Sequence, residues 1–178
     1  MARPAAPAVV TPTALLGAAT LAQVRDLMDA AFDDFGDDDW DHALGGLHAV
    51  VVEAGRVVAH AALVQRRLLV AGRSLRCGYV EAVAVDPARR GTGLGTRVMS
   101  EVEAHAPAYD VLALSASERA TGFYEARGWT AWRGPSSVLG PEGRQPTPED
   151  DGGIYVLGGT GLDLDAPVAC DWRTGDVW

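Results

Sequence analysis

The chain has 178 residues, 48% of them hydrophobic and 22% charged. That is the balance of an ordinary globular domain, it excludes a disordered or collagen-like chain, and a chain of this length buries about 70% of its unfolded surface without staples. Fifteen basic against 24 acidic residues give a net charge of −9 and a pI of about 4.8. Such a surface repels phosphate backbones, which excludes a general nucleic-acid binder, and it either draws in cationic small molecules or serves solubility alone.

The first 13 residues carry one Arg among several Ala and Pro. They hold no apolar core of a secretion signal, and no apolar run reaches the length of a membrane span, so a cytoplasmic enzyme without a membrane partner is expected. Cys77 and Cys170 have neither CxxC spacing nor a histidine partner pattern, and are expected as buried thiols. Residues 1–12 read as a loose leader ending in a short strand at Val9-Val10. Thr20 is a candidate cap for a helix in which Leu21, Val24, Leu27, Met28, Ala31 and Phe32 recur at helical spacing. An acidic stretch follows, from Asp33 and Asp34 to Asp37, Asp38, Asp39 and Asp41. Its order does not match a calcium-binding loop, His42, His48, His60 and His105 are scattered, and no metal site is expected.

Three β-like runs come next: Leu47 to Glu53, Arg56 to Val70 and Ser74 to Val85. Ala54-Gly55 and Ala71-Gly72 are the turns between them, giving an antiparallel meander. The end of the last run, Tyr79 to Val85, is apolar except for Glu81. A basic, glycine-rich turn, Arg89-Arg90-Gly91-Thr92-Gly93-Leu94-Gly95, opens a helix with Leu94, Val98, Met99 and Val102 on one side. Val111 to Leu114 reads as a strand, Ser117 to Arg127 as a helix stopped by Gly128, Trp129 to Trp132 as a strand, 134–152 as a loop or lid, and Ile154 to Leu157 as a strand. Residues 158–178 read as a polar tail. The order predicts one domain over 1–178 with a mixed α/β sheet.

Two features carry chemistry. A pyrophosphate needs converging backbone N–H donors and small side chains; Gly91, Gly93 and Gly95 supply the approach, the following helix its positive end, and Arg89 and Arg90 formal charge. The stretch is neither a Walker loop nor a dinucleotide fingerprint. Glu81, a carboxylate in an apolar strand, is either a general base or one half of an ion pair with Arg66 or Arg76.

Arg90-x-x-Gly93-x-Gly95, preceded by Val80 to Val85 and followed by Phe123-Tyr124-Glu125-Ala126-Arg127-Gly128-Trp129, resembles the acetyl-CoA motifs of the GNAT acetyltransferases. The tracts 42–49 and 76–81 and the end Cys170-Asp171-Trp172-Arg173-Thr174-Gly175-Asp176-Val177-Trp178 narrow the resemblance to the aminoglycoside 2'-N-acetyltransferases, over nearly the whole chain. The resemblance implies a GNAT fold, with a mostly antiparallel central sheet flanked by helices and splayed at the acetyl-CoA site. It implies acetyl-CoA as donor and coenzyme A as product, with Val83, Ala84, Val85, Arg89, Arg90, Gly91, Gly93, Gly95 and Thr96 holding the cofactor.

It further implies Tyr124 as the acid for the leaving thiolate, where the alternative is a core tyrosine, and the Val83 N–H as oxyanion donor. Ser115, at a strand end, is a candidate hydrogen-bonding group near the thiol. Asp34, Asp39, Glu81, Asp151, Asp176 and the α-carboxylate of Trp178 are implied around a polycationic sugar, the rival reading being a solvated acidic face. The expected activity is acetylation of a 2'-amino group, with antibiotic resistance as its consequence and a homodimer as the assembly. The alternatives are acetylation of an endogenous amino sugar or cell-wall precursor, and an acetyl-CoA sensor without turnover.

Overall fold

A computed structural model describes residues 6–178. They form two compact units, one running to Val64 and taking in Val80–His105, the other made of Gln65–Tyr79 and Ala106–Trp178.

The first unit opens with strand β1 (Ala8–Pro12), so part of the expected leader is ordered sheet, and Met1 to Ala5 lie outside the described residues. Helix α1 (Thr13–Leu16) and helix α2 (Ala18–Ala31) are separated by Gly17 at φ 80°. The second helix therefore starts two residues before Thr20: the Leu21 N–H bonds the Gly17 carbonyl, and Thr20 lies inside the helix instead of capping it. Val24, Leu27 and Met28 pack with Val50, Val57 and Ala84 in a core cluster edged by Phe35, Trp40 and Ala82. Part of the acidic stretch is helix α3 (Asp37–Ala43).

The meander is present as β2 (Leu47–Glu53), β3 (Arg56–Val70) and β4 (Arg73–Val85). Ala54 and Gly55, then Ala71 and Gly72, all have positive φ, the two-residue hairpin turn that matches the right-handed twist of the strands. β1 lies antiparallel on β2, and β2 on β3. Helix α4 (Leu94–Glu103) follows, burying the expected Leu94, Val98, Met99 and Val102, each worth about 1.5–3 kcal/mol on burial.

In the second unit β5 (Val111–Ser115) runs parallel to the first half of β4, with Cys77 opposite Val111 and Tyr79 opposite Ala113. The helix expected over Ser117 to Arg127 shortens to α5 (Thr121–Glu125), because Ser117 to Ala120 closes a turn and Gly128, at φ 88°, stops the helix. Of the run Trp129 to Trp132, Thr130 and Ala131 form β6, paired with β9 (Ile154–Gly158), and β9 lies antiparallel on β5.

Segment 134–152, expected as a loop or lid, is largely a hairpin: β7 (Ser136–Gly140) and β8 (Gly143–Pro146) pair and are followed by a turn at Pro148–Asp150. The tail also contains a buried strand, β10 (Val168–Asp171), antiparallel to the end of β3 and parallel to β7. The length of β3 permits this, since its first half pairs with β2 and its last three residues with β10. The strands join in the order β6-β9-β5-β4-β3-β10-β7-β8, a mixed and mostly antiparallel sheet. Cys77 and Cys170 are buried free thiols, and burial pushes Cys170 up to about 11.

Candidate active site

In the first unit the end of β4 feeds directly into the glycine-rich turn. Ala84 is buried in the core cluster, whereas Glu81, Ala82, Val83 and Val85 stay half-buried. Ala82 has φ 48°, a left-handed bend inside a strand, which re-aims the residues on either side of it. Arg66 pairs with Asp171 at 2.9 Å and Arg76 with Asp110 at 3.6 Å.

Asp86 ends β4 and caps the short Pro87–Arg89 turn by accepting from the Ala88 N–H at 2.9 Å. Gly91 and Gly93 have φ 75° and 83°, and a Cβ at either would meet nothing within 4 Å, so here glycine answers to backbone conformation beside open space. The free N–H groups of α4 begin at Gly93, its N-cap, with Gly95 and Thr96 in the first turn. An anion lodged there would meet backbone donors, the dipole of a ten-residue helix and no side chain in its way. The two arginines divide: Arg89 donates to both carboxylate oxygens of Glu53 and is half-buried, while Arg90 is exposed and reaches the Ala31 carbonyl at 3.4 Å. Arg90 is therefore the better anion partner.

Asp34 and Asp39 also lie in this unit. Asp34 is exposed, and Asp39 accepts from the Gly36 N–H at 2.8 Å, a capping bond at the start of α3. Asp37, in the acidic stretch, pairs with Arg25, whose guanidinium also lies over Phe35 and Trp40.

In the second unit Tyr124 sits on α5 with 7% of its surface exposed, its ring edge-on to Phe123 and Trp129. Burial pushes its phenol up to about 12, so it holds its proton throughout the neutral range. Ser115 ends β5 with its side chain exposed.

The C-terminus is tied down. Trp178 is 5% exposed and its indole N–H donates to the Thr147 hydroxyl at 3.0 Å. Thr147 Oγ1 is 2.7 Å from Ser136 Oγ, which is 2.8 Å from Asp151 Oδ1, and the Ser136 N–H donates to the same carboxylate oxygen at 2.7 Å. Asp151 and Trp178 are thus joined through two buried hydroxyls. The Cys170 thiol reaches the Val177 carbonyl at 3.3 Å and the Arg173 guanidinium the Asp176 carbonyl at 2.7 Å, which fixes the intervening chain. Asp176 lines a pocket of about 260 Å³ with Val138, Thr147, Glu149 and Asp150. Burial, with Glu149, Asp176 and Asp151 nearby, raises the pKa of Asp150. Glu149 and Asp150 escaped the sequence reading; their place directly before Asp151 was the one signal available.

Residues 16–129 match the model of the Acetyltransferase (GNAT) family. An aminoglycoside 2'-N-acetyltransferase of Mycolicibacterium fortuitum is 54% identical over 160 residues, 86% of this chain and 82% of that protein. Among solved structures, a GNAT acetyltransferase of Brucella melitensis in complex with acetyl-CoA superposes with a TM-score of 0.61 at 19% identity, covering 94% and 96% of the two chains. The Escherichia coli GNAT protein YhbS in complex with CoA gives 0.62 at 15% identity, over 97% and 93%. The phosphate-ready turn before α4, the mixed sheet and these matches together make the chain a member of the GNAT acetyltransferase family.

Proposed function

We propose that the protein transfers the acetyl group of acetyl-CoA to the 2'-amino group of aminoglycosides. The observation that carries this reading is the tethered C-terminus: a buried hydrogen-bonded chain holds Trp178 to Asp151, next to a pocket lined by Glu149, Asp150 and Asp176. A polycationic sugar needs such a concentration of carboxylates, and the 54% identity to the Mycolicibacterium fortuitum enzyme supports the same acceptor. Asp34, Asp39 and Glu81 complete the proposed set of acceptor carboxylates.

Bound acetyl-CoA supplies a thioester already activated for attack by an amine. Arg90 and the N–H groups from Gly93 to Thr96 hold its pyrophosphate, while Val83, Ala84 and Val85 offer backbone to the pantetheine amides beyond the last β4–β5 pair at Tyr79. Arg89 acts by stiffening that turn through Glu53. Glu81, through an ordered water, takes the proton that the ammonium must lose before it attacks. The Val83 N–H then stabilises the tetrahedral oxyanion. Tyr124, protonated at neutral pH, gives its proton to the departing thiolate and recovers one from the nitrogen as the amide forms. Ser115 orients the thiol.

Among the described residues no helix is long and apolar enough to cross a membrane. The reading includes a cytoplasmic enzyme acting as a homodimer within a single functional domain. The test is thiol release from acetyl-CoA with two aminoglycosides differing only in an amino or hydroxyl group at the 2' position. Turnover confined to the 2'-amino compound supports the assignment. Equal turnover with both overturns the regiospecificity, and none with either moves the acceptor to an endogenous amine or the protein to a sensor.

A further inference from the structure

The proposed chemistry leaves two buried histidines without a role. His48 on β2 and His60 on β3 are both 0% exposed, and both lie in the first unit with Glu81 and Val83. In the β2–β3 register His48 faces Ala62 and His60 faces Val50, so the two rings are diagonal neighbours, 5.1 Å between centroids. His48 Nδ1 is 2.8 Å from His60 Nε2, and His60 Nδ1 is 2.8 Å from the Ala82 carbonyl oxygen. At the other end His48 Nε2 is 2.7 Å from the Thr13 hydroxyl, which accepts from the Gly45 N–H at 3.0 Å.

Chemistry assigns every proton along this chain. The Ala82 carbonyl can only accept, so His60 Nδ1 carries hydrogen. Burial pushes the His60 imidazole down to about 3 and also lowers His48, so both rings are neutral at working pH. His60 Nε2 therefore accepts from His48 Nδ1–H, and His48 Nε2 accepts from the Thr13 O–H. The Gly46 carbonyl lies farther from the Thr13 hydroxyl, at 3.3 Å against 2.7 Å for His48 Nε2, and takes its bond from the Thr13 N–H at 3.0 Å. All the donors point one way, toward Ala82, and each bond polarises the next.

The end point matters because Ala82 is the residue with φ 48°, a conformation that costs a non-glycine residue roughly 1–2 kcal/mol and needs support from its surroundings. Two apolar side chains would fill the same core without the cost of burying imidazoles. What the imidazoles add is a directed donor at the carbonyl of the bend.

We propose that His48 and His60 are positioning residues for acetyl transfer: their hydrogen-bonded chain from Thr13 locks the bend at Ala82 and so fixes the Glu81 carboxylate and the Val83 N–H on either side of it. The inference rests on the reading of Glu81 as base and Val83 as oxyanion donor. Neither histidine touches a reacting atom; both act through the backbone.

The test uses the intact chain and two variants of similar size. In His60→Asn the amide nitrogen falls where Nδ1 was and keeps the donor at Ala82. In His60→Gln the amide reaches toward His48 and leaves the Ala82 carbonyl without its donor. The expected result is a fall in kcat of about 10- to 100-fold for His60→Gln and of less than about fivefold for His60→Asn, with KM for acetyl-CoA within about threefold of wild type in both. Equal losses in the two variants, or a His60→Gln kcat within about threefold of wild type, overturn the proposal. Should His60→Gln fail to melt cooperatively, Thr13→Val decides: it removes the first donor, and a kcat loss of about 3- to 10-fold is expected, an unchanged kcat being refutation. Glu81→Gln separates this from the parent reading. Loss of turnover in Glu81→Gln with retention in His60→Gln sinks the relay alone, and retention in Glu81→Gln sinks the base and with it the relay's purpose.

Discussion

Thr147→Val tests whether the tethered C-terminus serves the acceptor site. Thr147 is 4% exposed, Ser136 3% and Trp178 5%, so water cannot replace a lost partner. Valine keeps the shape and removes the hydroxyl that accepts from the Trp178 indole at 3.0 Å. Ser136 Oγ is less affected, since the Thr147 carbonyl at 2.7 Å and Asp151 at 2.8 Å remain. One buried donor is orphaned, a cost of about 1–3 kcal/mol. For a chain of this length each kcal/mol lowers the melting temperature by about 2–4 °C, so a fall of roughly 4–8 °C is expected for a mid-range cost. The terminal residue then has to be ordered at the expense of binding, and KM for the aminoglycoside should rise by about tenfold while KM for acetyl-CoA stays put. Thermal melts and steady-state thiol release on the same preparation measure both. An unchanged melting temperature refutes the hydrogen-bond argument; a lowered one with unchanged aminoglycoside KM leaves the tether as a purely structural clasp.

Tyr124→Phe should lower kcat by about 100-fold or more with acetyl-CoA affinity intact by calorimetry, and an unchanged kcat would remove the phenol from the mechanism. The same variant has a pH signature: the folded-state phenol titrates near 12 against 10 unfolded, so wild type should lose about 1.4 kcal/mol of stability per pH unit between those values and the variant should not, as denaturant melts across that range would show. In acid the sign reverses for His60, whose folded pKa near 3 lies below the unfolded value of 6.5. Its contribution is fully present above pH 6.5 and fades by about 1.4 kcal/mol per unit as pH falls toward 3, a slope that His60→Asn should flatten in urea melts. At the phosphate turn, Arg90→Ala should raise KM for acetyl-CoA by about tenfold, whereas Arg89→Ala, by breaking the Glu53 pair, should chiefly lower the melting temperature. The opposite ranking would reassign the anion-binding arginine.

What the sequence disclosed depended on whether a signal was local. The meander was legible because each strand is long and each turn carries its glycine, and α4 because four apolar residues repeat at helical spacing. The hairpin of β7 and β8 and the strand β10 were missed for the complementary reason. Each has only four or five residues, rich in Gly, Pro and Ser or flanked by charge, and β10 is strand because its neighbours β3 and β7 make it so. Among site residues, the glycines and Arg90 could be read from a motif. That Arg89 is held by Glu53, 36 positions away, could not. Asp39 shows the converse: a carboxylate expected at the acceptor site accepts a capping bond from the Gly36 N–H three residues back.

The two buried polar chains explain why composition says so little about this molecule's specificity. A buried hydroxyl or imidazole is costly alone and tolerable only when every donor and acceptor along its chain is matched. Such a chain is therefore all or nothing, and its members must be retained together even when most touch no ligand. In the first unit the partners are separated by 35, 12 and 22 positions and end on the bend beside Glu81. In the second they are separated by 31, 11 and 15 and end on Asp151. No local window contains either chain, and every member taken singly reads as an ordinary core or strand-end residue. One chain ends on the backbone bend at Ala82 and the other ties Trp178 to Asp151, so each stops at a carboxylate or beside one. If acetyl transfer depends on where those carboxylates stand, residues as remote in sequence as Thr13 and Thr147 will affect turnover and acceptor binding, respectively, while the acetyl-CoA turn before α4 is left unchanged.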